Sequence, residues 1–290
     1  VESSIQKYQA FVKTVDCGGI TLAAQAMGVS QSGVSRMIAD LEREWGVKLL
    51  VRGRSGVRLT DAGREIYPLA SRICADHSDI QAKVDALRGR RTGAIRIAAF
   101  SSVATYWIPR AVAMLSETSP EMEYEVLEGD YNEISEWILS GRADCGFLRA
   151  PVAPGLASEV LARDRLVAVL PEGSPLAKRK KVPLKELAKG PFLMLERNGQ
   201  SDVREVFAEH GLKPAVKYTT WDDYSIMSMA ESGLGVSILP ALIMERSPFR
   251  VAVRELDVPA YRDICFAYRP GMEENTAVKR FRECLEKVLT

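Results

Sequence analysis

The sequence predicts an α/β protein with a smaller winged helix-turn-helix part at its N-terminus. Three observations point there. Residues 5–60 read as short helices followed by a Gly-bearing hairpin. One helical pattern then fills residues 61–89, and beyond residue 90 short apolar runs alternate with amphipathic helical ones. At 290 residues the chain can bury a sizeable core and divide into two or three domains.

The first element, "IQKYQAFVKTV" from Ile5 to Val15, places apolar residues at 5, 8, 11, 12 and 15 and is ended by Gly18-Gly19. "TLAAQAMG" follows as a second short helix, with Thr21 as its expected N-cap and Gly28 as its stop. Ser30 caps a third helix within "VSQSGVSRMIADLERE". Its apolar positions Val34, Ile38 and Leu41, with Met37 beside them, recur at three- and four-residue spacing and form a packing stripe. The opposite side opens with Gln31, Ser32, Ser35 and Arg36, unlike the Glu/Lys mixture of an ordinary surface helix. Two short helices about three residues apart, the second amphipathic, form a helix-turn-helix pattern. After Gly46, Lys48–Val51 and Val57–Leu59 read as two extended pieces around Gly53 and Gly56, a hairpin wing.

Thr60 caps the long helix. Ile66, Ala70, Ile73, His77, Ile80, Val84 and Leu87 trace a four-three seam along it, with Pro68 as an expected kink. Nearly thirty helical residues span roughly 42 Å, too long to pack wholly on a 60-residue domain, so pairing between subunits is the expected use. "RGRRTG" (88–93) is a polar hinge. The alternating series then runs "AIRIAAF", "ATYWIPRAVAMLSETSP", "MEYEVLEG", "YNEISEWILSGR" and "ADCGFLR". A second series starts near Arg163 and ends in the helix "NTAVKRFRECLEKVL". Near-continuous apolar strands joined by helices imply a mostly parallel sheet.

Charge is uneven although the net value is only +1. Residues 1–92 hold 14 Lys or Arg against 10 Asp or Glu, and the remainder holds 25 against 28. Lys48, Arg52, Arg54, Arg58 and Arg64 cluster between 48 and 64 against Asp61 alone, a local field suited to a polyanion. No apolar run is long enough for a membrane span, and the N-terminus lacks a basic stretch followed by an apolar one, so no membrane partner and a cytoplasmic setting are expected. Five scattered cysteines read as reduced thiols. Two isolated histidines, no phosphate-binding loop, no nucleophile elbow and no dinucleotide fingerprint leave catalysis without positive support. No metal or cofactor is expected, and the chain is not read as an enzyme.

A recognition helix presents its first turns to the major groove. Gln pairs with adenine N6/N7, Ser lets the helix come close, and Arg reaches a guanine edge or a phosphate. Gln31, Ser32, Ser35 and Arg36 therefore read as DNA contacts, with Arg52, Arg54 and Arg58 of the wing on flanking phosphates or in the minor groove. Residues 18–63 resemble the N-terminal signature of the LysR-type transcriptional regulators. Ala23 and Ala24, Ser30 and Gln31, Val34 and Ser35, Leu41 and Glu42 carry the likeness, followed by Gly46, Leu49, Arg52, Leu59, Thr60 and Gly63. Ser32 stands where that family often has proline, and Leu50 where it usually has phenylalanine.

The resemblance implies domains at 1–60 (winged helix-turn-helix), 61–89 (dimerising linker helix) and 90–290 (effector-binding domain similar to periplasmic binding proteins). The last divides into a first subdomain, 93–163 plus 267–290, and a second, 164–266. It also implies a dimer of dimers on promoter DNA, a small-molecule effector in the interdomain cleft, and an effect on RNA polymerase. Alternatives are an effector-independent repressor or architectural protein, a solute-binding protein, and an enzyme with an appended DNA-binding domain. Ligands of open α/β sheets lie beyond the carboxyl ends of strands. That rule selects Ser101, Ser102, Gly129, Asp130, Phe147 and Arg149 from the first series. From the second it selects Asn198, Gln200, Ser201, Trp221 and Asp222. The serines with Arg149 suggest a small organic anion.

Overall fold

The computed structural model describes residues 4–53, 56–87, 94–199 and 201–289. Helices α1 (Ile5–Asp16), α2 (Ile20–Met27) and α3 (Gln31–Trp45) pack around Phe11, Ala23, Val34, Ile38, Leu41 and Leu49, all essentially removed from water. Each large apolar side chain so buried contributes roughly 1.5–3 kcal/mol. The Ser30 hydroxyl accepts from Gly33 N at 3.1 Å, so α3 starts where its cap places it. Gly28 and Gly46 close α2 and α3 in the left-handed region. Thr21 is not a cap: α2 begins at Ile20, two residues earlier than a Thr21 cap requires, after Gly19 and with no side-chain cap. The wing pairs β1 (Leu50–Gly53) with β2 (Gly56–Leu59), Leu50 opposite Leu59, two residues later at its start than the spacing suggested.

Helix α4 (Asp61–Leu87) begins with Thr60 bridging two elements: its Oγ1 donates to Lys48 O at 2.6 Å and accepts from Gly63 N at 2.9 Å. The expected seam divides. Ile66 and Ala70 join the N-terminal core, whereas Ile73 and Ile80, with Leu69, stay exposed at 46%, 60% and 64%. On another side, Ala75 is buried against Gly141, so closely that a Cβ at Gly141 has no room.

The C-terminal part is built on one sheet and a side ribbon. Strands β3 (Ala94–Ala99), β4 (Glu123–Glu128) and β5 (Cys145–Arg149) are parallel. They are connected by α5 (Ser101–Tyr106), α6 (Ile108–Thr118) and α7 (Tyr131–Leu139). The 15-residue β6 (Ala157–Pro171) then runs through the middle of the molecule. After it come β7 (Lys181–Val182), α8 (Leu184–Leu187), β8 (Phe192–Leu195), α9 (Asp202–Glu209), β9 (Val216–Thr220), α10 (Asp223–Glu231), β10 (Ser237–Pro240) and α11 (Ala241–Met244). Strands β11 (Val251–Leu256) and β12 (Tyr261–Tyr268) and helix α12 (Thr276–Leu289) complete the chain. Strand order is β4-β3-β5-β12-β6-β11-β7, with β10 also on β6 and β8-β9 as a parallel ribbon.

Strand β6 pairs β12 along its first part, then β10 and β11 along its last. β12 in turn pairs β5 through Ile264–Tyr268. These two antiparallel strands therefore carry the chain between its two α/β units. Among the described residues no helix is long and apolar enough to cross a membrane.

Candidate functional site

Two surfaces answer to the sequence expectations. The first is the exposed side of α3. Gln31, Ser32 and Arg36 are exposed and Ser35 is half-buried, while Val34, Ile38 and Leu41 hold the opposite side in the core. Ser32 Oγ lies 3.1 Å from Ser30 Oγ, so the residue at the unusual position also braces the cap. Arg58 is exposed on β2. Arg52 lies on β1, but its side chain, like the whole of Arg54, falls outside the described residues.

Glu42 ties this helix to the wing, a role that spacing alone does not reveal. It lies on the buried side of α3. Its carboxylate accepts from Leu49 N at 2.9 Å, Leu50 N at 3.2 Å and Lys48 Nζ at 2.6 Å. Burial opposes its charge, but the lysine and the two backbone donors outweigh burial and hold its pKa below 4.5. Glu42→Ala is expected to cost about 2–3 kcal/mol, because two buried N–H groups lose their acceptor. A lowered carboxylate pKa stabilises the fold above its ordinary value, and that stability is lost as pH falls through the lower native value. The thermal-midpoint gap between wild type and Glu42→Gln is thus expected to be widest at neutral pH and to shrink below pH 4.5. A gap independent of pH would reject the ionised clamp.

The second surface is a cavity of about 150 Å³ between the two α/β units, at the carboxyl ends of β3, β4, β5, β8 and β9. It brings together Ser101, Ser102, Gly129, Asp130, Arg149, Ser201 and Trp221 of the expected residues. Phe147 is not among them. It is fully buried among Trp107, Phe266 and Phe281, because two residues before the strand end is still inside the core. Asp222 faces its own helix, capping α10 through Tyr224 N and Ser225 N, and its neighbour Asp223 lines the cavity instead. Asn198 lies beside the cavity and donates to Asp130 Oδ2 at 2.6 Å. Gln200 falls outside the described residues.

Arg262 was not foreseen, and it organises the site. It stands opposite Asp164 where β12 crosses β6 and donates to that carboxylate at 2.8 and 3.0 Å. It also donates to Ser102 Oγ at 2.7 Å and to Tyr131 Oη at 3.2 Å, and its guanidinium lies 4.6 Å from the Phe100 ring centroid. Burial works against its charge, yet Tyr131 and the carboxylates of Asp164 and Asp202 outweigh burial and keep it protonated.

Arg149, the ground for expecting an anion, is neutralised within the protein. It makes a two-pronged pair with Glu205 at 2.6 and 3.0 Å and a further bond to Asp202 at 2.7 Å. Arg197 is 2.8 Å from Glu133 and lies 5.1 Å from the Trp221 ring centroid. Asp223 differs from all these acids. It is 6% exposed and has no ion pair among the described residues. Burial first, then the nearby charges of Asp222 and Glu128, push its carboxyl up to about 6 despite Ser101 and Arg262. Among the described residues no cluster of His, Cys, Asp and Glu suits a metal ion.

Comparison with known proteins gives two family matches. Residues 5–64 match "Bacterial regulatory helix-turn-helix protein, lysR family", and residues 88–290 match "LysR substrate binding domain". The uncharacterised regulator YvbU of Bacillus subtilis is 30% identical over 98% of both chains. The probable regulator LrrA of Synechococcus elongatus is 32% identical over 98% of this chain and 97% of its own. Among solved structures, a full-length OxyR variant from Pseudomonas aeruginosa superposes with a TM-score of 0.77 at 21% identity, covering 97% of this chain and 94% of that one. CbnR bound to its target DNA superposes with a TM-score of 0.58 at 23% identity, covering 99% and 100%.

Proposed function

Because the chain belongs to the LysR family of DNA-binding transcriptional regulators, we propose that it reads promoter DNA with α3 and the wing, under control of a small molecule in the cleft. Gln31, Ser32, Ser35 and Arg36 meet base edges and adjacent phosphates, while Arg52, Arg54 and Arg58 meet flanking backbone. The observation that carries this reading is the division of α3: a polar leading side faces solvent while its apolar side is locked in the core.

The exposed stripe of Leu69, Ile73 and Ile80 on α4 supports pairing of two copies along this helix, and two such pairs make the dimer of dimers. Its place of action is the bacterial cytosol, where DNA and RNA polymerase are met. Effector binding acts by favouring one arrangement of the two α/β units, and through them one spacing of the DNA-binding parts. The bend imposed on the promoter then changes polymerase access. Selection of genomic fragments by the full-length protein, followed by footprinting, tests this. The expected result is one protected region holding two half-sites an integral number of helical turns apart. Recovery of random DNA only, with no protected region, would reject sequence-specific regulation.

A further inference from the structure

Within that effector site, we infer that the cleft is built to take a small ligand bearing a protonated amine on an apolar body, with Asp223 and Glu128 as its counter-ions. The inference rests on the reading of the cleft as the effector site. Six carboxylates and three guanidiniums line the cavity. The guanidiniums are all engaged: Arg149 with Glu205 and Asp202, Arg197 with Glu133, and Arg262 with Asp164. A ligand carboxylate could reach Arg149 only by displacing a two-pronged, charge-assisted pair.

The N-termini of the three longer helices at the cavity are also occupied, whereas that of the six-residue α5, after Phe100, has no side-chain cap. The N-terminus of α7 is held by Asp130 and Glu133 in a reciprocal cap, that of α9 by Ser201, and that of α10 by Asp222. The lining acids divide in the same way. Asp202 and Glu205 face Arg149, Glu196 faces Arg204, and Asp130 takes Asn198 and the α7 backbone. Asp223 and Glu128 remain with no ion pair among the described residues, and they are close enough for their charges to repel. Asp223 is nine-tenths buried and sits on the cavity wall, where a ligand cation would remove the cost of keeping it charged.

The rest of the wall matches the body of such a ligand. Phe100, Leu166, Leu195, Val203 and Pro240 supply apolar surface. About 150 Å³ is the scale of a cavity that admits benzene, so an amine on a short aliphatic or single-ring body fits.

The test uses the full-length protein with n-butylammonium, n-butyrate and n-butanol at matched concentration and ionic strength, followed by calorimetry and thermal unfolding. Butylammonium is expected to bind at least about tenfold more tightly than butyrate, with butanol between them. Asp223→Asn and the exposed Glu128→Gln are each expected to reduce that preference by about tenfold. Equal binding of the three probes, a preference for butyrate, no binding of butylammonium, or a preference unchanged in both variants would overturn the proposal. Footprinting with each probe separates it from the reading beneath it. Asp223-dependent butylammonium binding that leaves the footprint unmoved keeps the ligand class and removes effector control. A footprint that shifts with butyrate alone keeps effector control and removes the ligand class.

Discussion

Replacing Arg262 by alanine lowers stability by about 3–5 kcal/mol, because it strands a buried partner. The side chains of Arg262 and Asp164 are 5% and 6% exposed. Without the guanidinium, Asp164 keeps, among the described residues, the Leu242 N–H at 3.0 Å, and Ser102 and Tyr131 each lose a donor. Urea unfolding of wild type and variant reads the difference. Arg262→Lys is expected to recover only part of it, since one ammonium cannot span Asp164, Ser102 and Tyr131 as the planar fork does. The paired change Arg262→Met with Asp164→Leu is expected to recover most of it, as apolar replacements of a buried ion pair do. A loss below 1 kcal/mol for Arg262→Ala would mean the pair does not hold the strand crossing together.

Arg36→Ala and Gln31→Ala each weaken binding to the selected operator by about ten- to a hundredfold, the range for losing a base-reading contact. Both residues are exposed on α3, so the thermal midpoint stays near wild type. The form of the loss distinguishes two roles for Arg36. If it reads a guanine, discrimination disappears at one operator position and affinity for random DNA changes little. If it holds a phosphate, affinity falls evenly across sequences and the salt dependence becomes shallower. Unchanged operator affinity in both variants would remove α3 from the interface.

The positions that were legible in the sequence are those whose partners lie within a turn or a hairpin. Ser30 and Gly33 are three residues apart, the stripe Val34, Ile38 and Leu41 is one face of one helix, and the wing pairs residues separated by a short loop. The strand-end rule likewise found much of the cleft, because a strand that reaches the sheet edge delivers its next residues there whatever else the fold does. It failed where depth along the strand mattered. Phe147 and Arg149 share one side of β5, but only Arg149 lies at the open end. It failed again at Asp222 and Asp223, where adjacent acids point to different tasks and helix direction chooses between them.

By itself, then, the amino-acid order determined the helix-turn-helix, its wing, the long helix and the alternation of strands and helices, since spacing, caps and periodicity act over a few residues. Which charges meet was decided only by the tertiary structure. Arg262 and Asp164 are 98 residues apart and become partners through the register of β12 on β6. Arg149 and Glu205 are 56 apart and meet across the cleft. Their pairing turns an arginine that reads as an anion site into a structural tie, and it leaves Asp223 as a buried carboxyl with no ion pair among the described residues.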